Sequence, residues 1–317
     1  MKPAVVLANI GSPAALSETA IRDYLRAFLS DREVVNLPPL LWQPILRGII
    51  LPRRPRALLH SYQTIWDHHR DASPLLSLGQ CLADKLAVRL GSVPCHVAMQ
   101  YSPPALEEVL VRLRRRRVLV IGLYPQEANA TCGALRKQVS RLLRRHPDLE
   151  IEFLSPWYDR QDYIASLAAQ VRRAHGQTPF GRLLVAFHGL PQQDIDRGSP
   201  YKNHCETTFN SLADAVKDLP LQAEIAYQSR FGPAKWMQPY AIDRVRDLAS
   251  RGSLAVINPG FPVDCLETIH EIGVELREVF RDAGGETFVR IPCLNAGDDQ
   301  VNFLARLIEE HLRAAPA

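Results

Sequence analysis

Hydrophobic and polar positions along the 317-residue chain follow two alternating registers. Short, unbroken apolar runs bounded by Gly and Pro mark strands covered on both faces, as in a parallel sheet. Such runs are AVVLANI (4–10), HVAMQY (96–101), RVLVIGLYP (117–125), IEFL (151–154), LLVAFHG (183–189), AEIAYQS (223–229), LAVINPGF (254–261) and FVRIP (288–292). Between them apolar residues recur at helical spacing. Examples are Ile21, Tyr24, Leu25, Phe28 and Leu29 behind the N-cap candidate Ser17, then Leu106, Val109, Leu110 and Leu113, and finally Val301, Leu304, Ile308 and Leu312. Strands separated by helices predict βαβ units and parallel sheets with helices on both faces.

A faint repeat refines this. HVAMQYSPP, ALEEVLVRL and RVLVIGLYP give strand, Pro-containing loop, helix and strand; AEIAYQSRFGP, AIDRVRDLA and LAVINPGF repeat that layout about half a chain later. The predicted fold is α/β: two similar doubly wound, Rossmann- or flavodoxin-like, parallel-sheet halves facing a central cleft. We place the N-terminal half at residues 1–160 and the C-terminal half at 161–317, with the last helix a candidate to cross back to the first half. Ligands of such sheets gather outside the carboxyl ends of the strands. The segments GSP, YSPP, LYPQ, FHGLP, YQSRFGP and NPGFPVD all fall there and predict a rigid, aromatic-lined cleft.

Composition narrows the function classes. A net charge of +4 is too small to argue for nucleic acid, and the run Arg112–Arg117 suits a solvated helix end. Neither G-x-G-x-x-G nor G-x-x-x-x-G-K-[ST] occurs, so no nucleotide cofactor is expected. The six cysteines include no C-x-x-C and read as free thiols in a reducing cytosol. MKPAVVLANIGSP lacks the features of a signal peptide, and no apolar run reaches the ~18 residues of a membrane span. We therefore expect a cytoplasmic protein. The segment from Leu37 to Arg56 is apolar with an Arg-rich edge, so it suits a bilayer surface, a buried helix or the wall of an apolar pocket, and peripheral attachment to the membrane stays open. Nothing in the chain reads out an oligomeric state.

Two features carry candidate chemistry. His188 ends an apolar strand directly before Gly189 and Pro191, where it is a structural histidine, a metal ligand or a base. Downstream, NPGFPVDCLETIHEIGVELREVF predicts a helix burying Leu266, Ile269, Ile272, Leu276 and Val279. Another face carries Glu267, Glu271 and Glu275 at i, i+4 and i+8, behind Asp264. No Lys or Arg stands at relieving spacing; only His270 lies three residues after Glu267. Such a row is either solvated or a path for cations. Carboxylate oxygen with imidazole nitrogen suits a labile divalent metal such as Fe²⁺.

The chain resembles the ferrochelatases. The motifs that carry the likeness run collinearly: LANIGSP, YLRAFLSDREVV, ASPLLSL, GLYPQ, FHGLP, YQSRFGPAKWMQPY, NPGFPVDCLETIHEIG and IPCLNA. It is most like the short bacterial form, without a C-terminal cysteine extension, so no iron–sulfur cluster is expected. The resemblance implies insertion of Fe²⁺, as substrate metal, into protoporphyrin IX to form protohaem. It makes His188 and Glu267 the catalytic pair beside the metal and the pyrrole protons, with Glu271 and Glu275 as a metal route. It places Tyr101, Gln228, Trp236 and Phe261 at the porphyrin pocket and Ile10 on the far face of the macrocycle. Residues 40–51 match an apolar lip through which porphyrin exchanges with the membrane. Departures from the family pattern stand at Ala72, Gln100, Ser102, Glu127 and Asn258. Two alternatives remain open: a cobalt or nickel chelatase of the same fold, and a non-catalytic porphyrin- or haem-binding paralogue.

Overall fold

The computed structural model describes residues 3–91, 93–154 and 156–314. The chain divides into two compact units, Met1–Tyr124 with Ala128–Ser155 and Ala296–Ala317, and Pro125–Glu127 with Pro156–Asn295.

The first unit is built on β1 (Ala4–Asn9), α1 (Glu18–Leu29), α2 (Pro39–Ile45), α3 (Leu51–Ile65), α4 (Pro74–Arg89), β2 (Cys95–Met99), α5 (Leu106–Arg112), β3 (Arg117–Gly122), α6 (Ala134–Arg145) and β4 (Glu150–Phe153). Its four strands are all parallel, in the order β2-β1-β3-β4. The residues of β1 are buried along its whole length, because helices cover both faces. Ser17 caps α1 by accepting from the Ala20 amide at 3.2 Å. A π-helical turn over Leu46–Ile50 joins α2 to α3. The α2 segment is pinned from beneath: Trp42 is buried and its Nε1 donates to the Leu29 carbonyl at 2.7 Å, while Leu46 is fully enclosed.

The second unit comprises α7 (Gln161–Gln177), β5 (Arg182–His188), α8 (Gln192–Asp196), α9 (Tyr201–Ala215), β6 (Gln222–Gln228), α10 (Ala241–Ala249), β7 (Leu254–Ile257), a π-helical segment (Glu267–Leu276), α11 (Arg277–Asp282) and β8 (Phe288–Arg290). Its parallel sheet runs β6-β5-β7-β8, the same permutation as the first sheet. The repeat is thus structural: β2-α5-β3 corresponds to β6-α10-β7, each pair flanking a central strand. Even the loops match. Met99 donates its amide to the Pro104 carbonyl at 2.8 Å, and Tyr227 donates to that of Pro239 at 2.9 Å. The final helix, α12 (Asp298–Ala314), belongs to the first unit. There His311 Nε2 meets Glu152 at 2.8 Å and Arg89 reaches Glu309 at 3.3 Å.

The core of the second unit joins Leu184 and Ala186 of β5 to Val245 and Leu248 of α10 and to Ile272, Leu276 and Phe280. Each fully buried Leu, Ile or Phe contributes roughly 1.5–3 kcal/mol. Ile272 and Leu276 therefore fasten the π-helical segment to the sheet, and Val279 of α11, half-buried, packs against the same cluster, while Ile269 of the π-helical segment, also expected in the core, is only half-buried. The physical reason is the helix type. Each hydrogen bond closes one residue later than in an α-helix, so apolar positions chosen on the 3.6 period drift off the buried face.

Candidate active site

Five buried residues, Leu183 to Phe187, deliver His188 at the half-buried last position of β5. The strand stops there because Pro191 has no amide to extend the ladder. The last ladder bond runs from the Gly189 amide to the Gln228 carbonyl at 2.8 Å. Glycine is required for that approach, since a Cβ at Gly189 would sit 3.0 Å from the same carbonyl oxygen. Tyr201 Oη donates to the His188 carbonyl at 2.9 Å and holds the strand end from the other side.

The His188 ring is oriented through Nδ1, which lies 2.7 Å from the Gly189 carbonyl. A carbonyl can only accept, so Nδ1 carries the hydrogen and the neutral ring keeps a lone pair on Nε2. Trp236 and Phe261 flank the ring, each with its centroid 6.5 Å away and tilted 55°. Both aromatics are half-buried, so they wall the imidazole instead of filling the core. Trp236 is fixed by a 2.8 Å bond from Nε1 to the Phe231 carbonyl.

Gln228 is the direct register partner of His188 across β5 and β6. Its Nε2 donates to the Glu267 carbonyl at 3.1 Å and lies 3.4 Å from Glu271 Oε2. Its Oε1 accepts from buried Asn258 Nδ2 at 2.7 Å, which fixes the amide with its nitrogen toward the glutamates. Ser229 hydrogen-bonds the same Glu271 oxygen, held in the left-handed region at φ +66°. Strain at a non-glycine residue costs of order 1–3 kcal/mol and collects at functional sites. Strand ends β5, β6 and β7 therefore link His188, through Gln228, to the glutamate row.

The row itself is not uniform. Burial pushes the Glu271 carboxyl up to about 7, helped by the nearby charges of Glu267 and Glu275 and opposed by the Ser229 and Gln228 hydrogen bonds. Glu275 does find a partner: His270 Nδ1 lies 3.2 Å from its Oε1. This pairing spans five residues, the spacing a π-helix brings together, and it lies outside the α-helical i±3 and i±4 positions, where no Lys or Arg stands. Among the described residues no three His, Cys, Asp or Glu side chains form a group able to hold a metal ion.

Asp264 has a different duty from the one its charge suggests. Burial alone would raise its pKa, but Arg290 at 2.9 Å, Asn295 at 2.8 Å and Thr268 at 2.7 Å reverse this and hold the carboxyl below the usual value. Its charge is neutralised within that cluster, so it anchors the start of the π-helical segment instead of assisting His188. Cys265 is buried and its thiol is pushed well above the ordinary value, chiefly by burial, which argues against a thiolate ligand.

Ile10 and Tyr101 lie in the first unit, where the Ile10 carbonyl accepts from the Tyr101 amide at 3.1 Å. Tyr101 is buried and donates its hydroxyl to Asp31 at 3.0 Å. The departures are accommodated locally. Gln100 accepts from Tyr124 at 2.7 Å, and Ser102 Oγ accepts from the Ser12 amide at 3.1 Å over Gly11, whose φ of +110° and lack of a side chain leave room for it. The sequence reading did not assign roles to Ser229, Tyr201 or Asn258 as supports of the site. The available signal was adjacency: Ser229 follows Gln228, and Asn258 directly follows β7.

A protein-family model described as Ferrochelatase matches residues 2–312. The chain is 42% identical over 309 residues to a ferrochelatase of Methylocella silvestris, covering 92% of this chain and 88% of that protein. It is 38% identical over 324 residues to Ferrochelatase 1 of Shewanella oneidensis, covering 98% and 96%. Among solved structures, SirB from Bacillus subtilis with Fe³⁺ superposes with a TM-score of 0.54 at 12% identity, over 98% of this chain and 95% of that one. CbiX, the terminal enzyme for siroheme biosynthesis in denitrifying bacteria, does so with a TM-score of 0.53 at 15% identity, over 99% and 100%. Those two likenesses speak for the fold alone. The full-length family match and the near-full-length identities decide the question, and the chain belongs to the ferrochelatase family.

Proposed function

We propose that this protein inserts Fe²⁺ into protoporphyrin IX to form protohaem, with His188 as proton acceptor and Glu267 as its acidic partner at the metal. The observation that carries the assignment of roles is the fixed His188 ring, whose Nε2 is left with its lone pair between Trp236 and Phe261. Insertion exchanges one Fe²⁺ for two pyrrole protons. The protons must leave before the ring nitrogens can bind metal, and a neutral imidazole is a suitable acceptor near pH 7. Rigid aromatic walls favour a puckered macrocycle over a flat one, which directs binding energy at the transition state.

Glu271 and Glu275 serve as the approach route for the metal. A carboxyl raised to about 7 exchanges its proton near neutral pH, so Glu271 can take up a proton as the metal moves on. Weak oxygen and nitrogen donors that never close into a cage let the ion pass. The porphyrin-contact roles of Ile10, Tyr101 and Gln228 are carried over from the family resemblance, and the route requires neither a nucleotide nor an iron–sulfur cluster.

We also propose that a cytoplasmic protein rests on the membrane through residues 37–56. Leu40 is 90% exposed and Leu41 65%, with Leu37, Ile45 and Ile49 also open to solvent. Large apolar side chains grouped in this way mark an interaction surface. No helix among the described residues is long and apolar enough to cross a membrane.

The test is an insertion assay with protoporphyrin IX and Fe²⁺, run in parallel with Co²⁺ and Zn²⁺ and with coproporphyrin. Fe²⁺ insertion into protoporphyrin by the wild type, lost in His188→Ala and Glu267→Gln while porphyrin binding persists, is expected. Tight porphyrin binding without insertion of any metal refutes the reading in favour of a binding paralogue. Preference for Co²⁺ over Fe²⁺ would favour the cobalt chelatase, a reading that the 38–42% identity to named ferrochelatases does not support.

A further inference from the structure

The exposed apolar residues of α2 and its π-helical turn adjoin an open concavity lined by Arg22, Arg26, Arg47, Leu51 and Pro52. Arg22 and Arg26 stand one turn apart on α1, and Arg47 comes from the turn between α2 and α3. Arg22 spends its Nε on the Leu51 carbonyl, at 3.4 Å, which leaves the rest of its guanidinium for other partners. Arg26 makes one solvent-exposed pair, with Asp23 at 3.1 Å. Neither Arg22 nor Arg47 has a carboxylate partner among the described residues.

The surrounding sequence strengthens the picture. From Val34 to Trp66 there is no Asp or Glu, while Arg47, Arg53, Arg54 and Arg56 all fall in that stretch. These four positive charges equal the net charge of +4 of the whole chain. Arginine is the side chain best shaped to hold a phosphate through paired N–H donors. Apolar side chains beside such a cluster suit the boundary between lipid headgroups and acyl chains.

We infer that the Arg22–Arg26–Arg47 concavity is a binding site for the phosphate headgroup of an anionic phospholipid, seated while Leu40, Leu41, Ile45 and Ile49 enter the apolar layer. The inference rests on the reading that residues 37–56 meet a membrane. It adds that the contact is selective for anionic lipid and that two elements distant in sequence, α1 and the π-helical turn, read the headgroup together. A free soluble phosphate offers the same oxygens but lacks the acyl chains that the neighbouring leucines and isoleucines would cover, so the lipid is the favoured source.

The full-length protein is sedimented with vesicles of phosphatidylcholine alone and of phosphatidylcholine mixed with phosphatidylglycerol. The wild type should partition preferentially onto the mixed vesicles, less so as salt rises. Arg47→Gln, which removes an exposed side chain, should weaken that partition roughly fivefold, and Arg22→Gln with Arg47→Gln by more than about tenfold, with little change on phosphatidylcholine alone. Leu40→Ser with Leu41→Ser should weaken binding to both. Equal partition of the wild type onto both vesicles, unchanged in the arginine variants but lost in the leucine variant, overturns the headgroup site and leaves the membrane reading intact. No partition onto either overturns both. Protection by inorganic phosphate in a thermal melt, without vesicle binding, makes the concavity a soluble-anion site and also overturns the inference.

Discussion

Replacing Glu271 by Gln should make the protein more stable above pH 7 and leave it little changed near pH 4.5. The sign follows from linkage. The Glu271 carboxyl has an ordinary value of 4.5 and is raised to about 7 in the folded protein, first by burial and then by Glu267. Between those values the folded state holds a proton that the unfolded state has released, so stability falls as pH rises through the interval. At 1.36 kcal/mol per pH unit the full loss is about 3 kcal/mol. Gln carries no charge to desolvate, and its carbonyl can still accept from Ser229 and Gln228. The Ser229 and Gln228 hydrogen bonds are already part of that balance, so a stabilisation of about 3 kcal/mol above pH 7 is expected. Urea unfolding of both proteins in metal-free buffer with a chelator, followed by circular dichroism across this pH range, measures it. Parallel stability–pH curves for the two proteins, or a variant less stable than wild type above pH 7, would refute the argument.

Two other substitutions probe the supports of the site. Asp264→Ala strands the half-buried Arg290 and removes the acceptor of Asn295 and Thr268, and should cost about 1–3 kcal/mol, seen as a lowered melting temperature. Because the Asp264 carboxyl is held below its ordinary value of 3.8, its contribution is present above that value and is lost as pH falls through the lower folded one, so the variant should lose acid sensitivity that the wild type retains. Gly189→Ala presses a methyl group on the Gln228 carbonyl and shifts His188 by a few tenths of an ångström, so kcat for Fe²⁺ insertion should fall roughly tenfold, with the melting temperature almost unmoved. An unchanged kcat would separate the His188 strand end from catalysis.

Much of this architecture is legible in local pattern. The eight apolar runs became the eight strands, most clearly the central strands β1 and β5, whose burial on both faces needs continuous hydrophobic sequence. His188 and Glu267 were visible as residue types out of keeping with their surroundings. The helix type was not visible. Periodicity assumes 3.6 residues per turn, and NPGFPVDCLETIHEIG carries no mark that its hydrogen bonds close five residues on. That assumption hid the His270–Glu275 pair and misplaced Ile269. Long-range polar contacts were equally hidden. Asn258 reads only as a departure from a family pattern until the sheet register sets it against Gln228, thirty residues away in sequence.

These hidden features explain how one helix can carry chemistry and remain folded. Carboxylates in a row repel one another, and burying one of them is expensive. The π-helical segment meets that cost at both ends of its length. At its start, the neutralised cluster of Asp264, Arg290, Asn295 and Thr268 locks the chain. A Cβ at Gly273 would come within 2.9 Å of the Arg290 side chain, so glycine there keeps the arginine's path over the helix open. Toward its end, Ile272 and Leu276 bind it to the sheet and His270 offsets Glu275. Glu271, between these anchors, is buried with polar partners but no cation, and that burial pushes it toward neutrality. The same burial that destabilises the fold there leaves a carboxyl raised to about 7 beside Gln228, the register partner of His188.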